Sequence, residues 1–241
     1  MIAGFDRNAL RLTGGGEETG SIAQHYIPPG VPGHDESGGD QGFEEFDWMR
    51  NPQGDPELAA RYFRAAGFES GRYEGDRRLL TIAVNADPGR QAAMVAQGQF
   101  ERLGFRLNFR QVPADTMFTK FCAVPSSKYA ICPNIGWYKD FNDPQTLLEP
   151  TFGGEAIKPQ GNSNVSLLDD DQIDRAMTEA ALIPVGPERN QAWADINKLI
   201  VAQATGIPFA WPDSFGLWSS NVQTVMNPYL TTPDLAFTSL K

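Results

Sequence analysis

The sequence predicts an α/β fold built around a mixed sheet flanked by helices, and three observations predict it. A strand, a helix and a second strand follow one another between residues 79 and 112, the pattern of a crossover that joins parallel strands. Two more helices follow between residues 171 and 204, and short extended segments close the chain. With 241 residues, 41% of them hydrophobic and 11% aromatic, the chain is long enough to bury a core of its own.

Taken in order, residues 13–54 carry Gly14-Gly15-Gly16, Pro28-Pro29-Gly30, Pro32-Gly33 and Gly38-Gly39 with few apolar periods, which predicts a long surface loop. An irregular stretch of that length is expected to pack against another part of the protein, inside or outside this sequence. Asp55-Pro56-Glu57 then supplies a helix cap, a proline for the first helical position and an early acid. Leu58, Tyr62, Phe63 and Ala66 recur at helical spacing until Gly67 ends the run. Residues 79–84 read as a strand, 90–103 as a helix closed by Gly104, and 105–112 as a strand with Phe105, Leu107 and Phe109 on one face. Asp115 is expected to cap a short helix reaching Phe121, and 129–132 reads as a further strand.

The segment Pro133-Asn134-Ile135-Gly136-Trp137-Tyr138-Lys139-Asp140-Phe141-Asn142-Asp143-Pro144 leaves that strand and ends where a helix can start through Leu147 and Leu148. Ligands sit in such strand-to-helix loops of open α/β sheets. Helices are predicted over 171–181, capped within Asp169-Asp170-Asp171, and over 187–204, with Ala192, Ile196, Leu199, Ile200 and Gln203 on one face. Residues 207–211, 216–219 and 234–240 read as extended segments separated by Pro212, Asn221 and Asn227-Pro228.

A net charge of -10 with scattered basic residues argues against a nucleic-acid or anionic-membrane surface. The only histidines are His25 and His34, and no nucleophile elbow, phosphate-binding glycine loop or paired Cys-x-x-Cys is present, so the residues point away from an enzyme. Neither His34-Asp35-Glu36 nor Glu44, Glu45 and Asp47 fixes a coordination geometry; both read as solvated loop charge, and no metal or cofactor is expected. The opening residues lack a basic region followed by an apolar run, and no segment approaches the roughly eighteen apolar residues of a membrane span, so neither an export signal nor an anchor is read here. Cys122 and Cys132 flank a Pro-Ser-Ser turn; a hairpin could bring them within bonding distance, while two unpaired buried thiols fit the spacing equally well. A bridge would imply an oxidising compartment.

A carboxylate beside aromatic walls at a strand end can hold a cationic group by a charge-assisted hydrogen bond, which makes Asp140 the leading candidate. On spacing alone, a helix-cap role for Asp143 and a core role for Trp137 stay open.

Several stretches together carry a family resemblance. They are Phe5-Asp6-Arg7-Asn8-Ala9-Leu10; Ile27-Pro28-Pro29-Gly30-Val31-Pro32-Gly33; residues 55–67; Cys132 through Thr146; Phe152-Gly153-Gly154; and Gly161-Asn162-Ser163-Asn164. In this order the chain resembles family 5 of bacterial extracellular solute-binding proteins, the oligopeptide, dipeptide and nickel binding group, most closely its actinobacterial members. The resemblance implies a two-lobed, class II periplasmic-binding-protein-like fold that encloses a ligand by hinge closure and delivers it to ABC permease subunits in the membrane. It places Asp140 where peptide binders hold the ligand α-ammonium and Trp137 on the pocket wall, with Tyr138 and Asn134 as further contacts on the same loop.

The resemblance further implies that residues 1–204 are the carboxy-terminal ligand-binding lobe, that 205–241 cross back toward an amino-terminal lobe absent from this sequence, and that such a fragment binds poorly alone. The location implied is extracytoplasmic, in the periplasm or on a cell-surface lipoprotein. Short peptide is the expected ligand, with a nickel chelate, haem or another small solute as the alternative and an unrecognised hydrolase as a remoter one.

Overall fold

In the computed structural model, which describes residues 1–227 and 232–241, helix α1 (Arg7–Leu12) starts where the Asp6 carboxylate accepts a hydrogen bond from the Ala9 N–H at 2.8 Å. The 13–54 stretch that follows is irregular, as its turn formers require, but it is not a loop on the surface alone: it alternates exposed residues with side chains packed into the interior. It holds the short strand β1 (Gly20–Ser21) and buries Ala23, His25, Ile27, Val31, His34 and Ser37. Side chains satisfy its backbone in place of ladder partners. Arg7 Nη1 donates to Ala23 O at 2.7 Å, and Tyr26 N donates to Asn197 Oδ1 at 3.2 Å. Glycine and proline content reports the absence of a repeat; it does not report exposure, and Ile27 and Val31 join the largest apolar cluster.

Helix α2 (Pro56–Ala65) has Asp55 as its cap, accepting from Leu58 N at 2.8 Å, and buries Leu58, Ala59 and Phe63, while Tyr62 reaches out to donate to Asp47 at 2.7 Å. Strand β2 (Arg78–Val84), helix α3 (Gly89–Arg102) and strand β3 (Arg106–Val112) form the expected crossover, with β2 and β3 parallel from Arg78↔Arg106 to Val84↔Val112. Burial separates their positions. β3 alternates, as an edge strand does, whereas Thr81, Ile82 and Ala83 of β2 are all buried between neighbours. On the other side of β2 the predicted 129–132 strand contributes one parallel bridge, Thr81↔Ile131. Asp115 does not cap. Pro113 stands at the cap position of α4 (Ala114–Thr116) with no side-chain bond, because its ring sets the turn two residues earlier, and the chain continues as a π-helical turn, Met117–Cys122.

Helices α5 (Gln145–Phe152), α6 (Asp171–Leu182) and α7 (Pro187–Gln203) enclose a second core. In it Leu148, Ile173, Trp193, Ile196 and Ile200 are buried. Asp170 caps α6 by accepting from Gln172 N and Ile173 N at 2.9 and 3.1 Å, so the acidic run is a cap as predicted. On α7 the predicted stripe holds for Ile196 and Ile200 but not for Gln203, which is exposed, and Trp193, Ala194, Asn197 and Val201 are buried besides. α7 is covered on two sides, by α5 and α6 and by the 24–37 segment, so a single stripe understates its buried face.

Of the predicted terminal segments, 207–211 pairs only at its end. Strand β4 (Trp211–Pro212) runs antiparallel to β1, with Ser21↔Trp211. Gly20 is required there, since a Cβ would lie 2.4 Å from Trp211 O. No strand forms over 216–219; instead β5 (Val222–Gln223) pairs antiparallel with β6 (Ser239–Leu240). Parallel and antiparallel pairing are thus both present, in separate two-strand ladders. Pro228, read above as a separator, lies outside the described residues.

Candidate ligand-binding site

Loop 133–144 leaves the carboxyl edge of the parallel strands, the edge at which open α/β sheets bind ligands. Its start is fixed covalently: Cys132 is bonded to Cys122, which is fully buried, with S–S 1.96 Å and Cα–Cα 6.1 Å, so the bridged reading of the two cysteines is the one the structure adopts. Asn134 then takes a left-handed conformation, φ 58°, which asparagine tolerates better than most residues. Its amide nitrogen lies beside Gly89 at the start of α3, where a Cβ would be 2.4 Å from Val84.

Beyond Ile135, which packs on the Ile82–Met117 cluster, the loop turns outward. Trp137 is 44% exposed, Tyr138 66% and Phe141 49%, which rules out the core role that spacing left open for Trp137. Three exposed aromatic rings over a few residues are unusual for a solvated loop and suit a surface that receives a partner or ligand. Asp140 lies among them, exposed, and is anchored at one point: its N–H donates to Thr146 Oγ1 at 2.9 Å and the same hydroxyl donates to its Oδ2 at 3.1 Å. A carboxylate held this way stays accessible to a cationic group while its backbone position is set by the first turn of α5.

Asp143, three residues on, does more than cap. Its Oδ1 accepts from Gln145 N at 3.0 Å, as a helix-start residue does, but the residue is buried and takes a two-point ion pair from Arg189. Arg189 Nε donates to Oδ2 at 2.6 Å and Nη2 donates to Oδ1 at 3.1 Å. The loop therefore separates two acids with different duties, Asp143 turned into the protein and Asp140 turned out.

Thr146 and Arg189 were not singled out by sequence. Thr146 lay within the quoted motif, but a threonine in the first turn of a helix carries no signal of its own. Arg189 is 46 residues from Asp143 and only the packing of α7 brings them together. The two histidines stand apart from this loop. Both are buried, packed against Trp211 with ring centroids 5.0 and 5.1 Å from it, so His34 is not in a solvated loop. Among the described residues no group of three His, Cys, Asp or Glu side chains is placed to hold a metal, and no helix is long and apolar enough to cross a membrane.

Comparison with known proteins bears on the family and the fold. The chain is 26% identical over 188 residues to di/tripeptide-binding protein 4 of Pseudomonas aeruginosa and 25% identical over 178 residues to heme-binding protein A of Haemophilus influenzae. Those alignments cover 78% and 73% of this chain but 34% and 31% of the relatives, so the chain spans about a third of their length. Its fold superposes on clavulanic acid biosynthesis oligopeptide binding protein 2 with TM-score 0.79 at 19% identity, covering 99% of this chain and 42% of that one. These relatives are named as binding proteins, and their fold is the class II periplasmic type. Residues 3–159 match the description "Bacterial extracellular solute-binding proteins, family 5 Middle", and with the loop of Asp140 inside that span the chain belongs to this family.

Proposed function

We propose that the chain forms one wall of the ligand cleft of an ABC importer's substrate-binding component, taking short peptides by their free amino terminus. The observation that carries this reading is Asp140, an accessible carboxylate among exposed aromatic rings at the carboxyl edge of a parallel sheet. It would accept the peptide α-ammonium, with Trp137, Tyr138 and Asn134 lining the same side and the other lobe closing over the ligand. Residues 1–204 would then act as the ligand-binding lobe and 205–241 as the connection to its partner lobe, outside the cytoplasm, with delivery to permease subunits.

The named specificity of the di/tripeptide relative supports peptide; that of the haem-binding relative keeps a non-peptide solute as the second reading. Calorimetric titration of the chain, or of a longer protein that carries it, with trialanine and N-acetyl-trialanine separates them. Asp140→Ala should weaken the free-amino peptide by about ten- to a hundredfold, the worth of a charged hydrogen bond, and leave the acetylated one nearly unchanged. Equal weakening of both would remove Asp140 from the proposed role, and tighter binding of haem than of either peptide would favour the second reading.

A further inference from the structure

We infer that Arg189 is the positioning residue of the ligand loop: it locks the base of loop 133–144 and the first turn of α5 onto the α6–α7 corner, and through Thr146 sets where Asp140 presents its carboxylate. This inference rests on the reading of Asp140 given above for its consequence, but its geometry stands independently.

Arg189 is buried and its donors are turned three ways. Nη1 donates to the carbonyls of Ala180, Ala181 and Ile183 at 2.7, 2.9 and 3.1 Å at the C-terminal turn of α6, where Ala180 O also accepts from Ile183 N at 3.2 Å. Nε and Nη2 grip Asp143, and Nη2 also donates to Gln145 Oε1 at 2.7 Å. Trp193, fully buried, lies one turn along α7 with its ring 5.8 Å from the guanidinium carbon. One side chain thus joins the corner of two helices to Asp143 and Gln145, three residues and one residue before Thr146. Thr146 holds both the N–H and the carboxylate of Asp140. Lysine keeps the charge but has no planar fork, so it cannot hold Asp143 at two points and satisfy three carbonyls as well.

Hydrogen exchange tests the inference without any ligand. In Arg189→Lys, the hydrogen-bonded amides at positions 140, 143 and 146 should exchange about tenfold faster while those over 193–203 keep their protection, a local opening that general destabilisation would not produce. Asp143→Asn, which preserves shape and leaves Arg189 its carbonyl partners, serves as the second variant and should act in the same direction. Unchanged exchange at positions 140, 143 and 146 in either variant, or equal acceleration there and over 193–203, overturns the inference. In the trialanine titration, Arg189→Lys should also lower the preference for the free-amino peptide several-fold. If Asp140→Ala abolishes that preference and Arg189→Lys leaves it intact, the positioning role fails and the ligand reading survives. If exchange accelerates as expected but Asp140→Ala has no selective effect, the ligand reading fails and the positioning role survives.

Discussion

At the scale of single residues, His25 shows what burial does to a titrating group away from loop 133–144. Its Nε2 lies 3.0 Å from Gly39 O, which can only accept, so that nitrogen carries the proton; Nδ1 accepts from Ile27 N at 3.2 Å. His34 meets the same residue from the other side, with Nδ1 donating to Ile27 O at 2.9 Å. Burial, reinforced by His34 and only partly offset by the Gly39 bond, pushes His25 down to about 4. The folded pKa is below the unfolded one, so the unfolded state takes up the proton first. Stability is therefore full above about pH 6.5 and falls as pH drops toward 4, by on the order of 3 kcal/mol from this group. Urea titrations at pH 7 and pH 4.5 should show that loss, and His25→Gln should flatten the difference. An unaltered slope would mean the imidazole is solvated.

At the scale of elements, caps and cross-links decide where segments start. Within Asp169-Asp170-Asp171 only Asp170 accepts from the first turn of α6. Asp170→Ala should cost about 1 kcal/mol in chemical denaturation, whereas Asp171→Ala, which loses only its favourable place near the helix start, should cost about 0.3 kcal/mol. The Cys122–Cys132 bridge closes a loop with a sequence separation of 10 and ties the π-helical turn to the start of loop 133–144. Thiol counting in denaturant without reductant should find none, and the double Cys→Ser variant should lose about 2–3 kcal/mol.

At the scale of the whole molecule, burial is unevenly distributed. Ile207 and Phe209 pack on the α1–α3 core and Trp211 pairs with Ser21, but no described residue beyond Trp211 is buried. Leu217 is fully exposed, Leu235 82% and Phe237 71%. Apolar surface of this kind drives association, so sedimentation of the chain at micromolar concentration should show oligomers, reduced in Leu217→Lys/Phe237→Lys. A monomer in both cases would indicate that these side chains are covered by the chain itself in solution.

The sequence by itself determined the local features: the helix starts at Asp55 and Asp170, the β2–α3–β3 crossover, and the loop of Trp137 and Asp140. Each depends on residues within one or two turns of each other, so capping chemistry and periodicity suffice to read it. Only the tertiary structure decided that the glycine- and proline-rich 13–54 stretch sends side chains such as His25, Ile27, Val31 and His34 into the interior, that Trp137 faces out, and that Asp143 belongs to Arg189. Those outcomes rest on contacts across tens of residues to more than a hundred, as between Tyr26 and Asn197, and a side chain's burial is a property of what packs over it.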